Sequence, residues 1–381
     1  MPVDLAWVER NVGAPAAEAV RDRAVSTRET DGGDDRDLAR DLIEFDSEGA
    51  DGAAFRTIAP RSKGLSEFVD VDWPSGLAPT PGEAPTGESL PEADVLIVTW
   101  TMDEGHALSR VLTPGFDSRD DWKPYTKNFD AISAQMSPRS PARQYGRLGT
   151  YWTTRVGERQ VTLFKSDSHM SQDGPDLPNA TVFKQLIEDC SPAWVITTGT
   201  GGGIGAEFEV GDVIVSRFVT FDCHKKFAHL DGKSFACDVD APSDQFATAN
   251  ALFRANAPFL PADNSRPPKI ASSGSATTGI LTTDFFGFDN SDDTFGLQGR
   301  GDLSEMGDAV LGMVCQELGP SAPRYTIVRN VSDPQIDAAN LTLAEQKKLA
   351  ATIYQAYGRW STVCSAIVCW AIVADSPGTE V

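Results

Sequence analysis

Short apolar runs without alternation constrain this chain most: Val95-Leu96-Ile97-Val98, Trp194-Val195-Ile196-Thr197-Thr198, Val213-Ile214-Val215 and Tyr325 to Val328. A strand wetted on one face alternates apolar and polar residues, so unbroken runs predict strands buried on both faces. Tyr151 to Arg155 and Gln160 to Phe164 predict a hairpin around Gly157, and Ile270 to Ala276 and Gly279 to Thr282 two later strands. Residues 179 to 189 predict a helix. Leu303 to Leu318 predicts another, with Met306, Val310, Met313, Val314 and Leu318 on one face. Terminal helices begin near Leu341. Strands alternating with helices imply an α/β fold with a mostly buried central sheet.

Residues 1–90 differ in character. Asp4 to Val25 suits one or two short helices broken at Gly13 and Pro15. A charge-rich run, Arg28 to Glu48, and a Pro/Gly/Ser-rich stretch follow. We read 1–90 as an extension that is partly disordered or wraps the surface. Residues 91–375 form the domain and 376–381 a tail.

With 381 residues and 40% hydrophobic content, the chain can build a large core. Its net charge of -22 argues against nucleic acid as a partner, since phosphate binding needs a basic surface. Ala366 to Ala374 is too short to span a bilayer, so no membrane is expected. Six cysteines lack CxxC spacing, and the N-terminus shows no basic start or apolar segment. The economical expectation is a reduced, cytoplasmic protein. The four histidines form no HExxH, so no metal and no cofactor are expected.

In such sheets ligands bind beyond the carboxyl ends of the strands. Four strand ends carry unusual chemistry: Thr101 to Glu104, Thr198 to Gly203, Thr282 to Phe286, and Arg329 to Asp333. Gly201 to Ala206 matches GxGxxA by letters. A dinucleotide site needs a helix directly after those glycines, and here a turn and the Val213 strand follow instead. Glycines at a strand end still admit a ligand close to the backbone.

Thr198-Gly199-Thr200-Gly201-Gly202 with Val210 to Ser216 resembles the "TGSAGG…VGDIVVS" block of the nucleoside phosphorylase superfamily. Glu305-Met306, then Val328 to Asp333, resembles its "EMEA…VRAISD" block. The closest branch is the methylthioadenosine/S-adenosylhomocysteine nucleosidases, and the resemblance covers roughly residues 93 to 375. It implies a three-layer α/β/α nucleoside phosphorylase-like fold. It also implies a homo-oligomer, and Asp333 as the acid at N7 of a departing purine, oriented by Ser332. Glu104 falls near the acid that activates water. Thr200, Gly201 and Gly202 fall beside ribose and base, and Phe286 where an aromatic stacks on the base.

The departures matter too. The family's second Glu in "EMEA", which holds ribose hydroxyls, falls on Gly307, leaving Glu305 or Asp308 for that role. The glycine-rich turn of the family reads Ser166-Asp167-Ser168-His169, where His169 is either a new ligand contact or, the plainer reading, a surface-loop histidine. No phosphate loop is evident. Each assignment has a plainer alternative: a turn at Asp333, a helix cap at Glu104, core packing at Phe286.

Breaking an N-glycosidic bond leaves an oxocarbenium-like sugar and negative charge on the base. One acid must be protonated for the leaving group and another ionised for water. The expected function is hydrolysis of a purine, adenine-type nucleoside or nucleotide, with Asp333 as acid and Glu104 as base. Phosphorolysis and a non-catalytic nucleoside sensor are the alternatives.

Overall fold

A computed structural model describes residues 2–26, 35–47, 49, 51, 53–55, 71–174, 176–238, 243–256, 259–273 and 278–375. The expected tail and part of the 28–48 charge run lie outside the described residues. The chain opens with helices α1 (Leu5–Asn11), α2 (Ala14–Ser26) and α3 (Asp35–Glu44). Then follow β1 (Thr80–Pro81), β2 (Val95–Thr99), α4 (Met102–Leu112), β3 (Lys123–Tyr125), α5 (Phe129–Ser133) and α6 (Pro141–Tyr145). The hairpin β4 (Gly149–Val156) and β5 (Arg159–Ser166) leads to α7 (Met170–Asp173) and α8 (Pro178–Cys190). The middle holds β6 (Trp194–Gly203), β7 (Val213–Ser216), β8 (Phe218–Asp222), β9 (Ser234–Ala236) and α9 (Ser243–Asn256). The last part holds β10 (Ile270–Ser273), β11 (Ile280–Thr283), β12 (Leu303–Glu305), α10 (Asp308–Leu318), β13 (Arg324–Asp333) and α11 (Leu343–Asp375).

These strands make one mixed sheet in the order β1-β4-β5-β2-β6-β12-β11-β8-β9, with β13 joining β6 to β7. The centre is parallel: β2 pairs with β5 and β6, and β6 with β13. Alternation explains the layers. Val95, Ile97, Trp194, Ile196 and Val328 pack on one face beneath α4, α9 and α11. Leu96, Val98, Val195, Ile214 and Ile327 pack on the other beneath α8 and α10. Both faces are covered, which is why the runs are unbroken. The fold is α/β with three layers, as expected.

One expected element differs. Leu303 to Leu318 is not a single helix: β12 occupies Leu303–Glu305 and α10 begins at Asp308. Leu303 and Ser304 pair antiparallel with Gly203 and Gly202. Sheet pairing there outweighs helical periodicity.

Helix α11 is long and apolar enough to cross a bilayer by composition, yet its most apolar window is wholly buried. It is apolar all round because the sheet, α4, α9 and α2 enclose it. The N-terminal residues are tied to this layer. Val3 exchanges backbone hydrogen bonds with Gln335 and Asp337, and the Tyr357 hydroxyl donates to the Asn11 carbonyl at 2.8 Å. Further on, the Trp370 indole N–H donates to the Leu77 carbonyl at 2.7 Å, and its ring lies 4.7 Å from that of Trp73. Trp370 is fully buried. Trp370→Ala is therefore expected to cost about 3–5 kcal/mol, read as a lowered thermal midpoint; an unchanged midpoint would show that residues 71–77 are not docked there.

Candidate active site

The carboxyl ends of β2, β6 and β13 point the same way because these strands are parallel neighbours. Beyond them opens a cavity of about 710 Å³, counting its mouth. Glu104, Thr200, Gly201, Gly202, Phe286, Glu305, Met306, Ser332 and Asp333 all line it. Segments more than 200 residues apart in sequence thus supply one pocket, of the size small ligands occupy.

Glu104 is the third residue of α4 and closes a capping box with Thr101. Its Oε2 accepts from the Thr99 hydroxyl at 2.8 Å and from the Trp100 and Thr101 amides at 3.0 and 2.9 Å. Its Oε1 accepts from the Thr200 amide at 2.8 Å and hydroxyl at 2.7 Å. The helix-cap alternative and the pocket position are thus both properties of one side chain. Gly199 makes room for it: at φ +150°, an added Cβ would sit 2.5 Å from the Glu104 carboxyl. Burial alone would raise the Glu104 pKa, but Arg329 and the Thr101 and Thr200 donors outweigh it and hold it below the usual carboxylate range.

Asp333 has the opposite setting. Burial pushes it up to about 7, and the Ser332 hydroxyl, 2.7 Å away, opposes this only in part. Adjacent strand residues ordinarily face opposite sides. The pairing of β13 with β6 slips between Val331 and Asp333, and this bulge lets Ser332 and Asp333 both line the cavity.

Arg329, one strand turn earlier, organises the acids. Its guanidinium forks onto Asp308 with two contacts of 2.7 Å, lies 3.4 Å from Glu305 and 3.9 Å from Glu104, and donates to the Thr200 carbonyl at 3.2 Å. Its other face stacks 4.8 Å from the Trp100 ring. Glu305 accepts from the Thr282 hydroxyl and the Asp308 amide, and burial with neighbouring Asp308 pushes its pKa up. Asp308 is the correction to the expected site. Its carboxylate is fully buried and occupied by Arg329, and it does not line the cavity. Between the two residues left for the ribose, only Glu305 faces the pocket.

His169 is not on a surface loop. It is 8% exposed, caps α7 and lines the cavity. The sequence reading also missed three walls: Trp100, Tyr354 from α11, and Ala39, Leu42 and Ile43 from α3. The signal for α3 was present, since Leu38, Ala39, Leu42 and Ile43 fall on one helical face. The helix is anchored just past its end. Asp46 pairs with Arg119 at 2.6 Å and lies 3.3 Å from His106, while the Ser47 amide donates to Asp103 at 2.9 Å. Burial would depress His106, but Asp117 and Asp46 outweigh it and push it up to about 9, so the anchor is an ion pair at neutral pH.

Among the described residues, the group with ligand atoms close enough to share a cation is Asp222, His224 and Asp231. Asp222 already pairs with Arg300 at 2.6 Å and His224 at 2.9 Å, outside the cavity lining.

A family model described as the phosphorylase superfamily matches residues 126–359. No curated protein matches the chain. Solved structures of similar fold include a 5′-methylthioadenosine/S-adenosylhomocysteine nucleosidase from Neisseria meningitidis, in complex with methylthio-immucillin-A. It is 17% identical, over 74% of this chain and 100% of that one, with a TM-score of 0.45. The S-adenosylhomocysteine nucleosidase of Streptococcus pyogenes, in complex with 5-methylthiotubericidin, is 17% identical over 76% and 99%, also at 0.45. Futalosine hydrolase of Helicobacter pylori is 13% identical over 73% and 96%, at 0.43.

Removing one partner of a buried ion pair strands the others. Arg329→Met is expected to destabilise the protein by about 3–5 kcal/mol, read by chemical denaturation. A near-neutral result would show that the acids are held by their neutral donors alone.

Proposed function

This chain belongs to the phosphorylase superfamily, and from that premise we propose that its cavity hydrolyses the N-glycosidic bond of a purine, adenine-type nucleoside. The observation that carries this reading is the opposite setting of two carboxyls in one cavity. Asp333 is pushed up to about 7 by burial, whereas Arg329 and hydroxyl and amide donors hold Glu104 low. Their environments divide the roles of acid and base.

As the bond from sugar to base breaks, its electron pair goes to the base, and Asp333 donates a proton to the base nitrogen. The sugar becomes oxocarbenium-like, water adds to it, and Glu104 takes the proton that water gives up. The Glu104 oxygens already accept five donors. Water reaches them when the Thr200 hydroxyl, which can rotate, turns its hydrogen away. Phe286 lies against the base and Glu305 holds the sugar.

Water is favoured over phosphate by the charge balance. Among the described residues the cavity is lined by one arginine, which Asp308 already occupies, and the carboxylate held low, Glu104, lies 3.9 Å from it. Among the described residues an inorganic phosphate finds no uncommitted cation there. The same balance favours an uncharged nucleoside over a nucleotide.

Asp333→Asn is expected to lower base release by roughly 10²–10⁴-fold with an unchanged thermal midpoint, assayed chromatographically on a nucleoside panel with and without phosphate. Full activity in that variant, or a strict requirement for phosphate in dialysed protein, rejects the proposal. Tight binding without release turns it to a sensor. Asp333 must carry its proton, so kcat/KM is expected to fall as pH rises through about 7. Glu104 must be ionised, so the acid limb lies below the usual carboxylate value of about 4. A profile that is flat from pH 6 to 9 contradicts the acid assignment.

A further inference from the structure

One position where this chain departs from the resembling family is Gly307. Its backbone leaves space, since an added Cβ would lie 3.6 Å from the Trp100 ring and 3.8 Å from Glu305. No side chain reaches the cavity from there. What stands at the cavity instead is His169, contributed by the turn between β5 and α7.

The His169 ring has a defined orientation and tautomer. The Ser171 amide donates to Nδ1 at 3.2 Å, and the Ser171 hydroxyl lies 2.8 Å from the same atom. An amide N–H can only donate, so Nδ1 is the acceptor and the ring proton sits on Nε2. Among the described residues Nε2 has no hydrogen-bond partner, and it is not among the polar atoms sealed from solvent. Burial lowers the ring's pKa to about 4, so the imidazole is neutral at physiological pH. His169 and Glu305 both line this cavity.

We propose that His169 is a substrate-positioning residue whose Nε2–H donates a hydrogen bond to a sugar hydroxyl of the bound nucleoside, which in turn donates to Glu305. This rests on the nucleoside reading of the cavity made above. A hydroxyl both donates and accepts, so a neutral N–H donor and a carboxyl acceptor together satisfy it. A site built to pair with a hydroxyl discriminates against the analogue lacking it, because its own polar group is then left without a partner.

His169→Asn separates this role from a structural one. Asparagine is a good N-cap and keeps the acceptor for the Ser171 amide, whereas its short side chain removes the donor at the far edge of the ring. The experiment is calorimetric binding of adenosine, 2′-deoxyadenosine and 3′-deoxyadenosine to the full-length protein and the variant, with base release followed in parallel. The expected result is an unchanged thermal midpoint and a roughly tenfold weaker affinity for adenosine in the variant. Affinity for one deoxy analogue should stay unchanged, so that the preference for the hydroxyl disappears. Equal preference in wild type and variant, or none in wild type, overturns the proposal even if base is released. Loss of the preference in a protein that releases no base leaves the His169 assignment standing and removes the hydrolytic reading instead.

Discussion

A buried guanidinium holds this site together. Arg329 lies among Asp308, Glu305 and Glu104, with Trp100 on its open face. Like charges at such distances repel, and desolvation alone would neutralise them. With Arg329 present, Glu104 stays low and Asp308 is bound bidentately. Asp333 lies outside that arrangement, so burial acts on it almost unopposed. One cation, asymmetrically placed, thus gives two carboxyls of the same cavity different protonation behaviour. It also consumes the positive charge, leaving hydroxyls, amides and a neutral imidazole as the donors available to a ligand.

Local backbone irregularities convert a regular sheet into a site. Gly199 admits the Glu104 carboxyl against β6, the slip at Ser332 turns two consecutive side chains inward, and the capping box fixes Glu104 at the start of α4. Each lies towards a carboxyl end of the parallel centre, where ligands bind in sheets of this kind.

The first 90 residues contribute more than surface cover. Within them, α3 supplies an apolar wall through Ala39, Leu42 and Ile43, and the Asp46 carboxylate fastens the chain to Arg119 and His106 beside α4. The charged residues that make this stretch look solvent-borne are partly its anchors. A helix of 10 residues is too short to be stable alone, so its apolar face needs the packing it finds against Tyr354 and Phe286.

The residue pattern alone determined an α/β fold with a sheet buried on both faces and the strand ends that carry acids, because such burial forces unbroken apolar runs; the three-layer arrangement came with the family resemblance. The resemblance to a known family then marked Asp333 and Glu104. Tertiary structure decided which acids face the cavity. Asp308 and Glu305 are three residues apart and alike in chemistry, yet one is a counter-ion and the other a wall, since Arg329 reaches them from another strand. His169 and α3 joined the site for the same reason: the groups that orient and bury them are set by packing between segments, and local spacing carries no record of that.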